Sequence, residues 1–192
     1  MAGRIPRSLQ RKVTVISTNI NSGIYKGRAL LLPPQSVTRA ISSKVRAAIF
    51  NKLDVSDKTI LDLFAGGGTL GFEALSNGAS SVVFVDSSAS SVKAIRQNAI
   101  KLDVEQQIEI HKINFESFRT VGRRFEIVFM DPPYIAFNIT LVKQAADLVQ
   151  LGGILVVSCS SKSKFEAPSD LELLGQKDYG DTKITYLRKN KQ

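Results

Sequence analysis

An α/β fold with a mostly parallel sheet is predicted for this 192-residue chain by three features of its sequence. From Thr59 onward, short apolar runs alternate with stretches of helical periodicity, which is the pattern of successive βα units joined by right-handed crossovers. The first of those runs passes directly into Gly66-Gly67-Gly68, a strand–turn–helix junction of the nucleotide-binding kind. The last two runs, Leu171–Leu174 and Lys183–Leu187, have no helix between them and predict an antiparallel hairpin at one sheet edge. With 43% hydrophobic residues, a chain of this length can bury one full core.

Taken in order, residues 1–12 read as a basic, unstructured start. Val13 to Leu32 reads as a hairpin turning at Asn21-Ser22-Gly23 and stopped by Pro33-Pro34. Thr38–Ser43 is a polar loop, and Ser42 or Ser43 can cap a helix over Lys44–Leu53, where Val45, Ala48, Ile49 and Leu53 recur at helical spacing. Thr59–Phe64 is the first sheet strand, and the helix that follows, from Phe72, closes at Gly78 in the C′ position. Val82–Val85 is a strand ending at Asp86. A helix over Ala89–Leu102, strands over Ile108–Ile113 and Phe125–Met130, a helix over Ile139–Gln150 and a strand over Ile154–Ser158 continue the alternation. These elements divide the chain into a small basic N-terminal extension, residues 1–53, and a main domain, residues 54–192.

The glycine turn permits positive φ and lets the backbone approach a ligand without interference from a Cβ. Gly66-x-Gly68-x-x-Gly71 satisfies the dinucleotide fingerprint, and Asp86, twenty residues after Gly66, fits its ribose-binding acid. A carboxylate suits that role because each of its oxygens can take one hydroxyl of a vicinal diol. Two ligands, NAD and S-adenosylmethionine, are compatible with this much. Asp62, inside the strand just before the glycines, favours the second, since a carboxylate there attracts a cationic methionine end and repels a pyrophosphate. The plainer alternative for Asp62 is a carboxylate that caps nearby backbone N–H groups.

Asp131-Pro132-Pro133-Tyr134 follows the apolar run Ile127–Met130 and places a stiff corner at the carboxyl end of a buried strand. Open α/β sheets bind their ligands at such ends. Two prolines in succession leave carbonyls facing outward, unclaimed by helix or ladder. A carboxylate, a free carbonyl and an aromatic face then meet in one place, which equips the corner to hold a flat ring by its exocyclic amine.

On these motifs, together with Tyr25–Arg28, Val45–Leu53 and Phe72–Leu75, the chain resembles class I methyltransferases with a DPPY-type amine-methylating motif. More narrowly, it resembles the RsmD family, the bacterial small-subunit ribosomal RNA guanine-N2 methyltransferases. The resemblance implies a Rossmann-like class I sheet and S-adenosylmethionine as cofactor. It implies that Asp62, Phe64, Ala65, Gly66, Gly67, Gly68, Asp86, Asn114 and Phe115 bind that cofactor, and that Asp131, Pro132, Pro133 and Tyr134 form the catalytic corner. It also brings Arg39 and Arg46 near the target base. Departures from the usual family pattern are Ala40-Ile41 after Arg39, Ala47 after Arg46, and Asn114 where the wider class often has an aspartate. A DNA or RNA adenine-N6 methyltransferase would share the four-residue corner. An NAD-dependent oxidoreductase would account for the glycines and Asp86 but leave the corner without a purpose, and a silent RNA-binding protein would leave the pocket without one.

The net charge of +9 is unevenly placed. Residues 1–53 carry ten Lys or Arg and no Asp or Glu, whereas the rest of the chain holds sixteen basic and seventeen acidic side chains. Such asymmetry is the electrostatic footprint of a nucleic-acid partner, and it marks Lys26, Arg28, Arg39, Lys44 and Arg46 as RNA-binding candidates. Ribosomal RNA, within a small subunit or an assembly intermediate, is the expected partner, and a monomer is expected. One cysteine, Cys159, and one histidine, His111, cannot assemble a zinc site or a Ser-His-Asp triad, so no metal is expected. No run approaches the ~18 apolar residues of a membrane helix. A lone cysteine in an apolar strand reads as a reduced thiol in a cytoplasmic protein.

Overall fold

The computed structural model describes residues 16–34, 41–164 and 166–190. In chain order the elements are β1 (Ser17–Asn19), β2 (Ala29–Leu31), α1 (Ser43–Lys52), β3 (Thr59–Leu63), α2 (Thr69–Ser76), β4 (Ser81–Asp86), α3 (Ala89–Leu102), β5 (Ile108–Lys112), β6 (Phe125–Met130), α4 (Ile139–Ala146), β7 (Val149–Ser160), β8 (Leu171–Tyr179) and β9 (Thr182–Lys189). Seven strands form one sheet in the order β5-β4-β3-β6-β7-β9-β8. The first five neighbours are parallel. β9 runs antiparallel to β7, and β8 to β9, so the expected hairpin closes one edge.

The central strands are apolar without alternation because helices cover both of their faces. Ile60, Leu61, Leu63, Val83, Phe84, Val128 and Phe129 are all essentially inaccessible to solvent. Each such side chain contributes roughly 1.5–3 kcal/mol by leaving water. The order of strands reverses at β3: β4 and β5 lie to one side, β6 and β7 to the other. A crevice therefore opens at the carboxyl ends of β3 and β6, the usual ligand position in an open α/β sheet.

Several boundaries differ from the sequence expectation, with β7 and β8 both running longer than their apolar cores. The helix expected over Ile139–Gln150 ends at Ala146, and Val149 instead pairs with Phe125 as the start of β7. The register shift between Phe125 and Ile127 is where Gly153 lies against the Glu126 carbonyl, and a Cβ there would come within 2.7 Å of that oxygen. The second helix starts at Thr69, earlier than expected, because left-handed Gly68 (φ +77°) serves as its N-cap.

The basic segment is not set apart from the sheet. Ile20, Leu30, Val45, Ile49 and Leu53 belong to one buried cluster with Ile60, Phe72 and Phe129. The turn at Asn21-Ser22-Gly23 docks on the carboxyl end of α2, where Ile24 N–H donates to the Ser76 carbonyl at 2.8 Å. Only glycine fits at position 23, since a Cβ would overlap that carbonyl. Ser42 caps α1 by accepting from Val45 N–H.

Candidate active site

Three carboxylates stand at the carboxyl ends of adjacent strands. Asp62 of β3 is buried, and its Oδ2 accepts from Gly71 N–H at 3.0 Å. It therefore does cap a backbone donor, as the plainer reading held. Burial pushes its carboxyl well above the usual range, and the neighbouring Asp131 and Asp86 carboxylates push in the same direction. Asp86, closing β4, accepts from Gly66 N–H through Oδ2 and from Ser88 N–H through Oδ1, both at 2.8 Å. A carboxylate oxygen has two lone-pair sites, so one on each oxygen remains for a diol.

The glycines divide by role. A Cβ on Gly68 or Gly71 would run into the ring of Phe72 or Phe84, and one on Gly67 would come within 2.9 Å of the Leu31 carbonyl. Close packing of the turn and α2 against β2 and β4 demands those three. Gly66 differs: its φ is +57° and nothing lies within 4 Å of the place a Cβ would take. The protein leaves that space unfilled, next to the Asp86 carboxylate that the Gly66 N–H contacts. Asn98, fully buried on α3, fixes the turn by donating to the Gly67 and Leu31 carbonyls and accepting from Leu31 N–H.

Phe64 leaves β3 in the left-handed region (φ +59°), an uncommon conformation for a bulky residue. Its ring meets Phe115 edge-on at 5.6 Å. Phe115 is itself buried in the core under β4 and β6, so it packs from below and does not present a free face. Asn114 is exposed, and its side-chain amide makes no hydrogen bond among the described residues. Ala65 N–H is bonded to the Val85 carbonyl, which ties the turn to β4.

Asp131 emerges from β6 into a cavity of about 820 Å³. The walls are Ile41 and Ser42 before α1, the Asp131–Ile135 corner, Ser158 and Ser160 of β7, Lys162, and the β8–β9 turn. Although Asp131 shows part of its surface to this cavity, protein surrounds it, and burial raises its carboxyl to about 6. The Ser158 hydroxyl works against that rise, yet lies outside ordinary hydrogen-bond geometry. Pro133 differs from the expectation of two free carbonyls: its oxygen accepts Ala136 N–H at 2.8 Å in a single 3-10 turn, whereas no backbone donor to the Pro132 carbonyl is found among the described residues. Tyr134 is 44% exposed, and its hydroxyl bonds Thr182 Oγ1 at 2.6 Å, which clamps the ring against the β8–β9 turn.

The cationic candidates separate sharply. Lys26 and Lys44 are exposed, as an RNA contact requires. Arg28 is exposed too, but its guanidinium already donates to the Lys101 carbonyl at the end of α3. Arg39 lies outside the described residues. Arg46 corrects the sequence reading: it is 1% exposed, donating to the Ile41 and Asn19 carbonyls and to Thr18 and Ser43 hydroxyls, beside the Glu73 carboxylate. A guanidinium with its fork occupied inside the core has nothing left for a phosphate. Sequence reasoning missed Ser158, Lys162 and Thr182. The signal available was the polar alternation Ser158-x-Ser160-x-Lys162 running out of an apolar strand.

The family model described as conserved hypothetical protein 95 (Cons_hypoth95) matches residues 18–188. The chain belongs to this family. The ribosomal RNA small subunit methyltransferase D of Haemophilus influenzae is 28% identical over 173 residues, covering 84% of this chain and 88% of its own. The protein of the same name from Escherichia coli K12 is 29% identical over 138 residues, covering 71% and 68%. A solved structure of a hypothetical protein from Thermus thermophilus superposes with a TM-score of 0.74 at 25% identity over 88% of this chain and 98% of that one. The solved Escherichia coli protein yhhF, at 23% identity, shares the fold with a TM-score of 0.82 over 92% and 99%. The family model thus spans both the glycine turn and the Asp131 corner. Among the described residues no helix is long and apolar enough to cross a membrane.

Proposed function

We propose that this protein transfers a methyl group from S-adenosylmethionine to the exocyclic 2-amino group of a guanine in small-subunit ribosomal RNA. The observation that carries the reading is the Asp131–Tyr134 corner, set one strand away from Asp62 and opening into a cavity large enough for a splayed-out nucleotide. The relatives named as ribosomal RNA small subunit methyltransferase D supply the substrate class.

The residues present fit the cofactor. The open cradle at Gly66 lies between a buried carboxylate on one side, Asp62, and a half-exposed one with free lone pairs on the other, Asp86. When bound there, S-adenosylmethionine supplies an electrophilic methyl carbon on a sulfonium. The Asp62 and Asp86 carboxylates favour that cation and disfavour the pyrophosphate of NAD. Asp86 holds the ribose, Phe64 and Ala65 shape the turn, and Asn114 presents a free amide to the adenine.

The target base stacks on Tyr134, whose ring the Thr182 bond holds still. Asp131 and the Pro132 carbonyl accept the two N–H groups of its amine. An aryl amine is a poor nucleophile because its lone pair is delocalised. Two acceptors gripping the hydrogens favour a pyramidal nitrogen whose lone pair is turned toward the cradle. Positioning of this kind can supply up to ~7–11 kcal/mol of the barrier. Asp131, with its carboxyl raised to about 6, is placed to take the amine proton that the transfer releases.

Exposed Lys26 and Lys44 contact RNA phosphates, and the protein acts in the cytoplasm as a monomer on a small subunit or its assembly intermediate. Tritium transfer from labelled S-adenosylmethionine to small subunits, naked RNA and DNA in parallel tests the reading. Incorporation into small-subunit RNA is expected. Labelling of DNA alone, or tight binding of NAD in place of S-adenosylmethionine, contradicts it.

A further inference from the structure

The cavity beside Asp131 has a polar wall on β7. Ser158 is 3% exposed, lines the cavity, and carries one of the few buried side-chain polar atoms that lack a hydrogen-bond partner among the described residues. Of the others, Arg46 Nε faces Glu73, while Gln144 and Tyr186 lie outside the cavity wall. The Ser158 hydroxyl favours the charged form of Asp131 without making an ordinary hydrogen bond to it, and a buried hydroxyl left in that state calls for a reason.

Register supplies the reason. Met130 of β6 pairs with Val157 of β7, so Asp131 and Ser158 are the next residues along two neighbouring strands. Both follow residues on one face of the sheet, since Phe129 and Val156 belong to the same buried cluster. Neighbouring strands stand about 4.8 Å apart, so their side chains can grip adjacent atoms of one base edge. A hydroxyl can donate or accept, so it serves a protonated or an unprotonated ring nitrogen. Further along the same strand and into the next turn, Ser160 Oγ accepts Lys162 N–H, and the Lys162 ammonium at the cavity wall has no carboxylate partner among the described residues.

We propose that Ser158 and Lys162 complete the target-nucleotide site. Ser158 Oγ hydrogen-bonds the ring nitrogen next to the amine that Asp131 holds, and the Lys162 ammonium takes a phosphate of the same splayed-out nucleotide. The proposal rests on the functional reading above and adds two residues to it. In the free protein the Ser158 hydroxyl idles near Asp131, and the arriving base gives it a partner.

Ser158→Ala separates a base contact from an indirect effect through Asp131, because the hydroxyl also favours the charged carboxylate. Methyl transfer to small subunits is followed from about pH 5 to about pH 9, with S-adenosylmethionine affinity and Tm measured alongside. The expected result is a roughly 10-fold loss of kcat/KM at every pH, with cofactor affinity unchanged and Tm unchanged or raised. A loss that vanishes well above pH 6 overturns the base contact, since Ser158 would then act only on the carboxyl. Lys162→Ala is expected to raise KM for RNA several-fold, lower the salt slope of binding by about one and leave kcat intact. An unchanged slope overturns the phosphate contact. Wild-type protein in the same series keeps the two levels apart: an inactive wild type sinks the functional reading, whereas an active wild type with an indifferent Ser158→Ala sinks only this inference.

Discussion

Arg46 of α1 and Glu73 of α2 form a buried ion pair, with Nε and Oε2 3.5 Å apart and each side chain 1% exposed. The Glu73 carboxylate also accepts from Asn21 N–H, Ser22 N–H and the Ser22 hydroxyl. One pair of charges thereby fastens the hairpin, the first helix and the helix behind the glycine turn. Burial disfavours the Arg46 cation, and the Glu73 charge offsets that cost. Removing one partner strands the other in the core. Arg46→Ala should therefore lower unfolding free energy by roughly 3–5 kcal/mol, and Arg46→Lys should recover little of it because a lysine cannot span four acceptors. Urea unfolding measures the loss, and filter binding on the folded fraction should show RNA affinity unchanged. A stable Arg46→Ala with weakened RNA binding would restore the phosphate role that the burial denies.

Asp131 has a carboxyl raised from 3.8 to about 6 by burial. The carboxylate is the form that accepts an amine hydrogen, so kcat/KM should fall as pH drops through about 6. Stability runs the opposite way. Below about 4 both folded and unfolded chains hold the proton and burial carries no charge penalty. Above about 6 the folded chain bears the full penalty. Asp131→Asn should thus abolish transfer while stabilising the fold at pH ~8 by roughly 1–2 kcal/mol, allowing for solvent at the cavity wall, with the gain fading as pH falls from about 6 to 4. Thermal unfolding across pH checks this.

Asp62 is held well above the ordinary carboxylate range by burial and by its two acidic neighbours. A cationic ligand beside it draws that value back down. Binding of S-adenosylmethionine should consequently release protons, and affinity should rise with pH over the range in which Asp62 titrates. Calorimetry in buffers of different ionisation enthalpy reads the released protons directly. Asp62→Asn should remove most of the pH dependence.

The glycines of the turn should behave differently from one another. Gly66→Ala enters open space at positive φ and should cost roughly 1 kcal/mol of stability while sharply weakening S-adenosylmethionine binding. Gly71→Ala would drive a Cβ to 2.2 Å from the Phe84 ring, so the fold itself should suffer. Melting temperature and cofactor affinity, measured for both variants, separate the ligand-facing glycine from the packing one.

What the sequence made legible was local or periodic. The parallel sheet followed from alternation, the cradle from Asp62, Gly66 and Asp86, and the corner from two prolines after an apolar run. What it hid depended on partners distant in the chain. Arg46 looks like any surface arginine on an amphipathic helix until Glu73 and the Thr18–Asn19 strand close around it. Tyr134 gives no hint of Thr182, which the β8–β9 turn brings back from far along the chain. The Pro133 carbonyl reads as free because a double proline conceals the 3-10 turn that claims it. Charge counting found the cationic segment but could not tell an exposed lysine such as Lys44 from a buried strut.

Nucleoside mass spectrometry of small-subunit RNA, after incubation with the protein and methyl-labelled S-adenosylmethionine, identifies the methylated base and atom. The labelled nucleoside should be N2-methylguanosine at a single site, and Asp131→Ala should yield none while binding S-adenosylmethionine normally. Label in N6-methyladenosine, or undiminished N2-methylguanosine from Asp131→Ala, would contradict the role assigned to the corner.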